Sequence, residues 1–168
     1  MSVTVDLATT DETDHLLELW QVYMKDLAEY RGTAVQVDGR YRDDRLRTYL
    51  AYEEHWLFLI RSQGESVGFA LVRKSKPDTY LIGEFFIKSE FRRTGVGEAA
   101  VDQILQKFMG NWEIPFQIEN SKGAAFWRKT ILKLGYNVTE ERSEEPDNRG
   151  NSPDTLLVFS NSNTLDPC

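Results

Sequence analysis

The sequence has little cysteine, little histidine and no long apolar run. Its one cysteine is Cys168, so no internal disulfide can form and a reducing, cytoplasmic location is expected. No apolar run approaches the length that spans a bilayer, and the first residues lack the basic and then apolar pattern of a signal peptide. The two histidines, His15 and His55, have no metal-ligand spacing with each other or with Cys168, so no metal site is expected.

The charge balance is acidic, with a formal net charge of −7. This charge argues against nonspecific binding to nucleic acid or to an anionic membrane, and it weakly favours a cationic partner. Apolar residues make up 40% and charged residues 28%, which is typical of a globular protein. The 168 residues predict a single domain over residues 1–160, followed by a disordered tail over 161–168.

Hydrophobic periodicity and turn residues predict a mixed α/β fold. A capping box at Thr9 and Glu12 and an N-cap at Asn120 mark the starts of two of four helices, and Gly135 is placed to end the last one. We expect a mostly antiparallel sheet of six to seven strands with about four helices on its faces. Strands are predicted at 3–7, 56–60, 67–72, 81–87, 112–118, 136–140 and 155–160, helices at 43–52, 96–109 and after the two caps, and a polar segment at 141–154.

A glycine turn joins the predicted strand 81–87 to the helix that starts at Val96. It carries the spacing Arg92-x-x-Gly95-x-Gly97. A strand that leads through glycines into a helix presents unpaired backbone N–H groups at the positive end of the helix dipole, which favours an anion. The alternative is a tight connection with two solvated arginines.

A second pattern follows about twenty residues after this helix. Asn120 starts a helix after a strand, an aromatic residue follows seven positions later at Trp127, and a leucine then precedes Gly135-Tyr136. Together with the glycine turn and the order of elements, this pattern resembles the GCN5-related N-acetyltransferase (GNAT) family. The resemblance implies the GNAT fold and acetyl-coenzyme A (acetyl-CoA) as co-substrate.

The resemblance also implies where the cofactor binds. The pyrophosphate would lie on the backbone of the glycine turn, and the pantetheine arm would run along the end of the preceding strand, with a backbone N–H there as oxyanion donor. Asn120 would contact the arm, although it serves equally well as a plain N-cap. The implied cofactor-binding residues are Phe86, Ile87, Lys88, Arg92, Arg93, Thr94, Gly95, Val96, Gly97, Glu98, Asn120 and Trp127.

The implied chemistry is direct attack of an amine on the acetyl thioester in a ternary complex. Glu84 lies in the strand on the same side as Phe86 by alternation and is a candidate general base; alternatively it pairs with an arginine or orients water. Trp127 stands where many family members have a tyrosine that protonates the leaving thiolate, and indole lacks a usable acidic proton. Tyr136 is the candidate acid, with Tyr30 and Tyr41 as alternatives.

The acceptor site in this family is usually built by the first two helices and the loop between them, here about 23–52. Acids and aromatic residues in this segment favour a small basic amine over a peptide N-terminus or a lysine. A catalytically silent coenzyme A-binding module is the alternative function, and a homodimer is compatible with the family. The residues in question are Asp26, Glu29, Tyr30, Tyr41, Asp43 and Asp44.

Overall fold

The structure is a computed structural model that describes residues 2–31, 34–143 and 154–162. In these ranges the chain forms a seven-stranded sheet and four α-helices. The predicted fold class, a mixed α/β sheet flanked by helices, is confirmed. Among the described residues, no helix combines the length and the apolar character that crossing a membrane requires.

The strands and helices follow the predicted order. The strand order in the sheet is β1-β2-β3-β4-β5-β7-β6, with β4 and β5 parallel and the pairs β1–β2, β2–β3, β5–β7 and β6–β7 antiparallel. Short 3-10 turns lie at Thr10–Glu12 and Ser89–Phe91. The elements are β1 (Val3–Leu7), α1 (Thr13–Arg31), α2 (Asp44–Ala51), β2 (His55–Ser62), β3 (Glu65–Lys76), β4 (Thr79–Ile87), α3 (Val96–Lys107), β5 (Asn111–Phe116), α4 (Ser121–Lys133), β6 (Thr139–Arg142) and β7 (Thr155–Ser160).

Strand β5 differs from its prediction in length and position. It ends at Phe116, before the predicted limit of 118, and it lies between β4 and β7 in the sheet. The parallel ladder with β4 ends at the pair Leu81–Glu113. Pro115 lies beyond that ladder, so its missing N–H removes no hydrogen bond to β4.

The chain contains two compact units, and the prediction of one domain over 1–160 stays a prediction. The first unit comprises Met1–Arg73 and Ile82–Ala100. In it α1 and α2 bury their apolar faces against one face of β2, β3 and β4. The core residues are Leu16, Leu19, Trp20, Tyr23, Met24, Leu46, Tyr49, Leu57, Leu59, Phe69, Leu71 and Phe86.

Gly68 allows β3 and β4 to approach closely in the first unit. A Cβ at this position would lie 1.9 Å from the carbonyl oxygen of Phe86. The Lys88 N–H donates to the Val67 carbonyl at 2.8 Å, which fixes the end of β4 on β3. The sequence therefore needs glycine here for backbone packing, since any side chain would displace the strand end.

The second unit comprises Lys74–Leu81 and Val101–Cys168. Asn120 caps α4 as predicted, with its side-chain oxygen 3.0 Å from the Gly123 nitrogen. Gly135 follows the last helical turn with φ +86°, as predicted for a C-cap glycine. Residues 144–153 of the predicted polar segment and 163–168 of the predicted tail lie outside the described residues.

Candidate active site

The turn between β4 and α3 has the geometry of an anion site. Arg93 and Gly95 both adopt left-handed backbone, with φ values of +62° and +89°. Helix α3 begins at Val96, and Ala99 N–H donates to the Gly95 carbonyl at 3.1 Å. The N–H groups of Val96 and Gly97 precede that bond in the first turn, where a helix offers no acceptor of its own. The predicted anion-binding turn therefore has the required local structure.

The two arginines of this turn differ in their contacts. The Arg92 guanidinium donates through Nε to the Ile87 carbonyl at 2.8 Å and through Nη2 to the Asp26 carboxylate on α1 at 2.7 Å. It also lies over the Phe86 ring, 5.8 Å from its centroid. Arg93 is exposed and forms no ion pair with any residue in the described ranges. Arg93 is therefore the arginine whose charge is available to a ligand.

The end of β4 has one backbone N–H directed away from β3. Lys88 N–H is used by the Val67 carbonyl, and successive N–H groups along a strand alternate between its two edges. The Ile87 N–H therefore lies on the edge opposite β3, together with its own carbonyl, which accepts from Arg92. Of the three predicted pantetheine-contacting residues, Ile87 is the one with a suitably directed donor.

Glu84 is held by two residues from different helices. The Tyr23 hydroxyl on α1 donates to Oε2 of Glu84, and Nε of Arg45 on α2 lies 3.2 Å from Oε1. The Glu84 side chain is 9% exposed. Arg45 in turn lies over the Trp20 ring at 5.2 Å. Each carboxylate oxygen is thus held by a residue from a different helix, in a setting where mobile water has little access.

Tyr49 and Arg73 extend this polar group of side chains. Arg73 lies close enough to the Tyr49 hydroxyl for its charge to favour the ionised form of that group. Burial and, to a smaller extent, the Glu84 carboxylate raise the pKa of Tyr49 to about 12 against the opposing effect of Arg73. We call the set of Tyr23, Arg45, Tyr49, Arg73 and Glu84 the Glu84 cluster. Polar groups gathered at the border of an apolar core are typical of functional sites.

The acids predicted to attract a cationic acceptor are largely neutralised. Asp26 pairs with Arg92, Asp43 with Arg47 at 2.9 Å, and Asp44 with Arg42 at 2.5 Å. Glu29 and Tyr30 are exposed, and Tyr41 is fixed through its backbone by Gln21. The preference for a basic amine stays a prediction, but three of its carboxylates already have a counter-ion.

Three predicted site residues lie in the second unit. Asn120 caps α4, Trp127 is buried on the inner face of the same helix, and Tyr136 packs on Phe159 with ring centroids 5.0 Å apart. Burial and, to a smaller extent, Asp102 raise the pKa of Tyr136. A raised pKa makes the hydroxyl a weaker acid, so the shift does not by itself favour the predicted role of Tyr136 as general acid. The roles of these residues stay predictions.

Within the described residues, no group of three or more histidine, cysteine, aspartate or glutamate side chains could hold a metal ion. Sequence reasoning missed Tyr23, Arg45 and Arg73 as members of the site. The ring of Tyr23 is buried in the core, while its hydroxyl reaches Glu84. A tyrosine on an otherwise apolar stripe was the available signal, since a buried hydroxyl needs a partner.

The sequence and the fold were compared with known protein families and solved structures. A profile of the Acetyltransferase (GNAT) family matches residues 15–129. The ribosomal-protein-S18-alanine N-acetyltransferase from Escherichia coli superposes with a TM-score of 0.62 at 14% identity, covering 99% of each chain. An acetyltransferase from Thermus thermophilus gives 0.69 at 16% identity, covering 94% of this chain and 96% of the other.

A third solved structure was determined with a cofactor. YncA from Salmonella typhimurium, with its cofactor acetyl-CoA, gives a TM-score of 0.61 at 14% identity and covers 100% of both chains. No curated protein matches the sequence significantly. At these identities the structures show a shared fold, and the profile covers more than half of the chain. The protein belongs to the GNAT family of acetyltransferases.

Proposed function

We propose that this protein transfers the acetyl group of acetyl-CoA to a primary amine. The observation that carries this proposal is the turn between β4 and α3. Left-handed backbone at Arg93 and Gly95 leads directly into the first turn of α3, so that backbone N–H groups and a free guanidinium lie together. Such a site suits a pyrophosphate, and membership of an acetyltransferase family supports acetyl transfer.

The residues present fit acetyl-CoA. Val96, Gly97 and the Arg93 side chain would bind the pyrophosphate, and the Ile87 N–H would donate to the acetyl carbonyl. When bound, acetyl-CoA supplies a thioester whose carbonyl carbon is open to attack by an amine. A preorganised N–H donor to the developing oxyanion contributes about 3 kcal/mol to the rate. Arg92 would act indirectly, by fixing the Ile87 carbonyl and α1.

Glu84 is our candidate for the base that removes a proton from the acceptor ammonium. Tyr23 and Arg45 hold its carboxylate in one orientation, and each oxygen keeps a lone pair beyond these contacts. Glu84→Gln keeps the size of the side chain and removes the base. We expect kcat to fall about 100-fold and the low-pH limb of its profile to disappear. An unchanged rate and pH profile would show that Glu84 is not the base.

A silent coenzyme A-binding module is the second candidate. Buried Trp127 favours it, because an indole cannot protonate a leaving thiolate. Tyr136 remains our candidate acid for the active enzyme. Thiol release measured over a panel of amines and peptides separates the two functions, since turnover with any acceptor eliminates the silent module.

Titration calorimetry with acetyl-CoA tests the cofactor site itself. We expect micromolar binding, and Arg93→Glu should weaken it at least tenfold because it reverses the free charge beside the phosphates. Lys129→Glu is a matched control, since Lys129 is an exposed cation on α4 and its reversal changes the net charge equally. Absence of acetyl-CoA binding to the intact protein would refute the proposed function.

A further inference from the structure

The Glu84 cluster carries more positive than negative charge. It contains two guanidinium groups, Arg45 and Arg73, and one carboxylate, Glu84, which leaves a net charge of +1 while its tyrosines are protonated. Arg45 is balanced by Glu84. The neutral Tyr49 hydroxyl lies within the electrostatic influence of Arg73, and no acidic side chain within the described ranges forms an ion pair with Arg73.

Arg73 lies at the border of the first unit's core. By strand alternation it shares a face of β3 with Phe69 and Leu71, both fully buried against α1 and α2. The residue itself is half-buried. A guanidinium that is partly removed from water without a counter-ion is unfavourable, and a ligand anion would compensate it.

The cluster is joined to the proposed reaction centre through β4. Glu84 and Phe86 lie on the same face, two residues apart, which in a strand is about 7 Å. The Phe86 ring packs on Tyr23 at 5.6 Å, and Tyr23 donates to Glu84. A molecule that places its amine at Glu84 would therefore also lie near the guanidinium groups of Arg45 and Arg73.

The other charges of the region do not compete for this role. Three acids of the segment over 23–52, Asp26, Asp43 and Asp44, are paired with arginines, and Glu18 on α1 pairs with Arg40 at 3.2 Å. The unbalanced charge of the cluster is thus the cation of Arg73, and it selects for an anion on the acceptor.

We propose that Arg73 binds a carboxylate of the acceptor, so that the substrate class is an amine that also carries a carboxylate. This inference rests on the proposed acetyl transfer. Arginine suits this task because its planar guanidinium can donate two parallel hydrogen bonds to a carboxylate. The carboxylate belongs either to a free amino acid or to an acidic residue beside the amine of a peptide.

The test compares each carboxylate acceptor with its carboxamide. One arm uses glycine and longer ω-amino acids against their amides, and the other uses short peptides with Glu against Gln next to the free amine. The wild-type protein should prefer the carboxylate at least tenfold in kcat/KM in one arm, and that arm identifies the source. Binding of the corresponding N-acetylated acids and amides, in the presence of coenzyme A, gives the same comparison without turnover.

Variants assign the preference to Arg73. Arg73→Gln should abolish it through a higher KM for the carboxylate, and Arg73→Lys should restore part of it. Arg47→Gln is the matched control, because Arg47 is a nearby arginine with its own acid, and it should keep the preference. All three should bind acetyl-CoA as the wild type does.

Three results would overturn the inference. Equal use and equal binding of acids and amides by the wild type would do so, as would a preference that persists in Arg73→Gln. Weaker acetyl-CoA binding in Arg73→Gln would also do so, since the arginine would then serve the cofactor. Failure of the proposed function is distinct, because the wild type would then either not bind acetyl-CoA or release no thiol with any acceptor.

Discussion

Replacement of Gly68 by alanine tests the close approach of β3 and β4 that fixes the end of β4. The added Cβ would lie 1.9 Å from the Phe86 carbonyl oxygen, 2.9 Å from the Phe86 carbonyl carbon and 3.1 Å from the Ile87 Cα. All three atoms are backbone, so no side-chain rotation can relieve the clash. The strands would have to separate by about 1.1 Å to reach a 3.0 Å contact.

Such a separation removes hydrogen bonds as well as packing. The bond from Lys88 N–H to the Val67 carbonyl, now 2.8 Å, would lengthen beyond hydrogen-bond distance. Overpacking costs about 1–3 kcal/mol, and each lost hydrogen bond adds about 1 kcal/mol. We expect the free energy of unfolding to fall by about 3 kcal/mol and Tm to fall by about 10 °C for a chain of this size.

Urea unfolding followed by circular dichroism measures the effect. Gly64→Ala is the matched control: Gly64 also lies in the β2–β3 region, at φ +81°, but no atom lies within 4 Å of its added Cβ. It should lose about 1 kcal/mol, from backbone strain alone. A Gly68→Ala variant as stable as the Gly64→Ala variant would refute the steric argument.

Three further predictions concern a helix cap and two titrating groups. Asn120→Ala should destabilise the protein by about 1 kcal/mol because the cap to Gly123 is lost, whereas Asn120→Asp keeps the acceptor and should be close to wild type in urea unfolding. Titration of both variants with acetyl-CoA then separates the capping role of Asn120 from a contact with the cofactor. The pKa of Tyr49 rises from 10.0 to about 12 on folding, so the folded state favours the protonated hydroxyl. The free energy of unfolding should therefore decline by about 2–3 kcal/mol as pH rises from 10 to 12. Tyr49→Phe should lack this loss, whereas Tyr52→Phe, which removes an exposed hydroxyl, should keep it. The backbone hydrogen bond from Thr9 lowers the pKa of Glu12 below its ordinary value of 4.5, so this carboxylate stabilises the folded state above pH 4.5 and loses that effect as pH falls. The difference in free energy of unfolding between wild type and Glu12→Gln should therefore shrink as pH falls below 4.5. A difference that stays constant with pH would contradict this prediction.

The sequence by itself determined the order of elements and the local structure of the turn between β4 and α3. Helix periodicity, helix caps and glycine turns depend on neighbours within a few residues. The structure accordingly has the cap at Asn120 and left-handed backbone at Gly95 and Gly135. The length of β5 was less well predicted, because strand limits depend on which strands pair beside them.

Only the tertiary structure decided which charges are free to act on a ligand. Arg92 and Arg93 are adjacent in the sequence, but Asp26, 66 positions from Arg92, pairs with Arg92, and no residue in the described ranges forms an ion pair with Arg93. Glu84 likewise receives its partner Tyr23 from 61 positions away. Periodicity indicates that a side chain faces the core or the solvent, whereas the partner of a charge depends on which elements pack together, and that is fixed only when the chain folds.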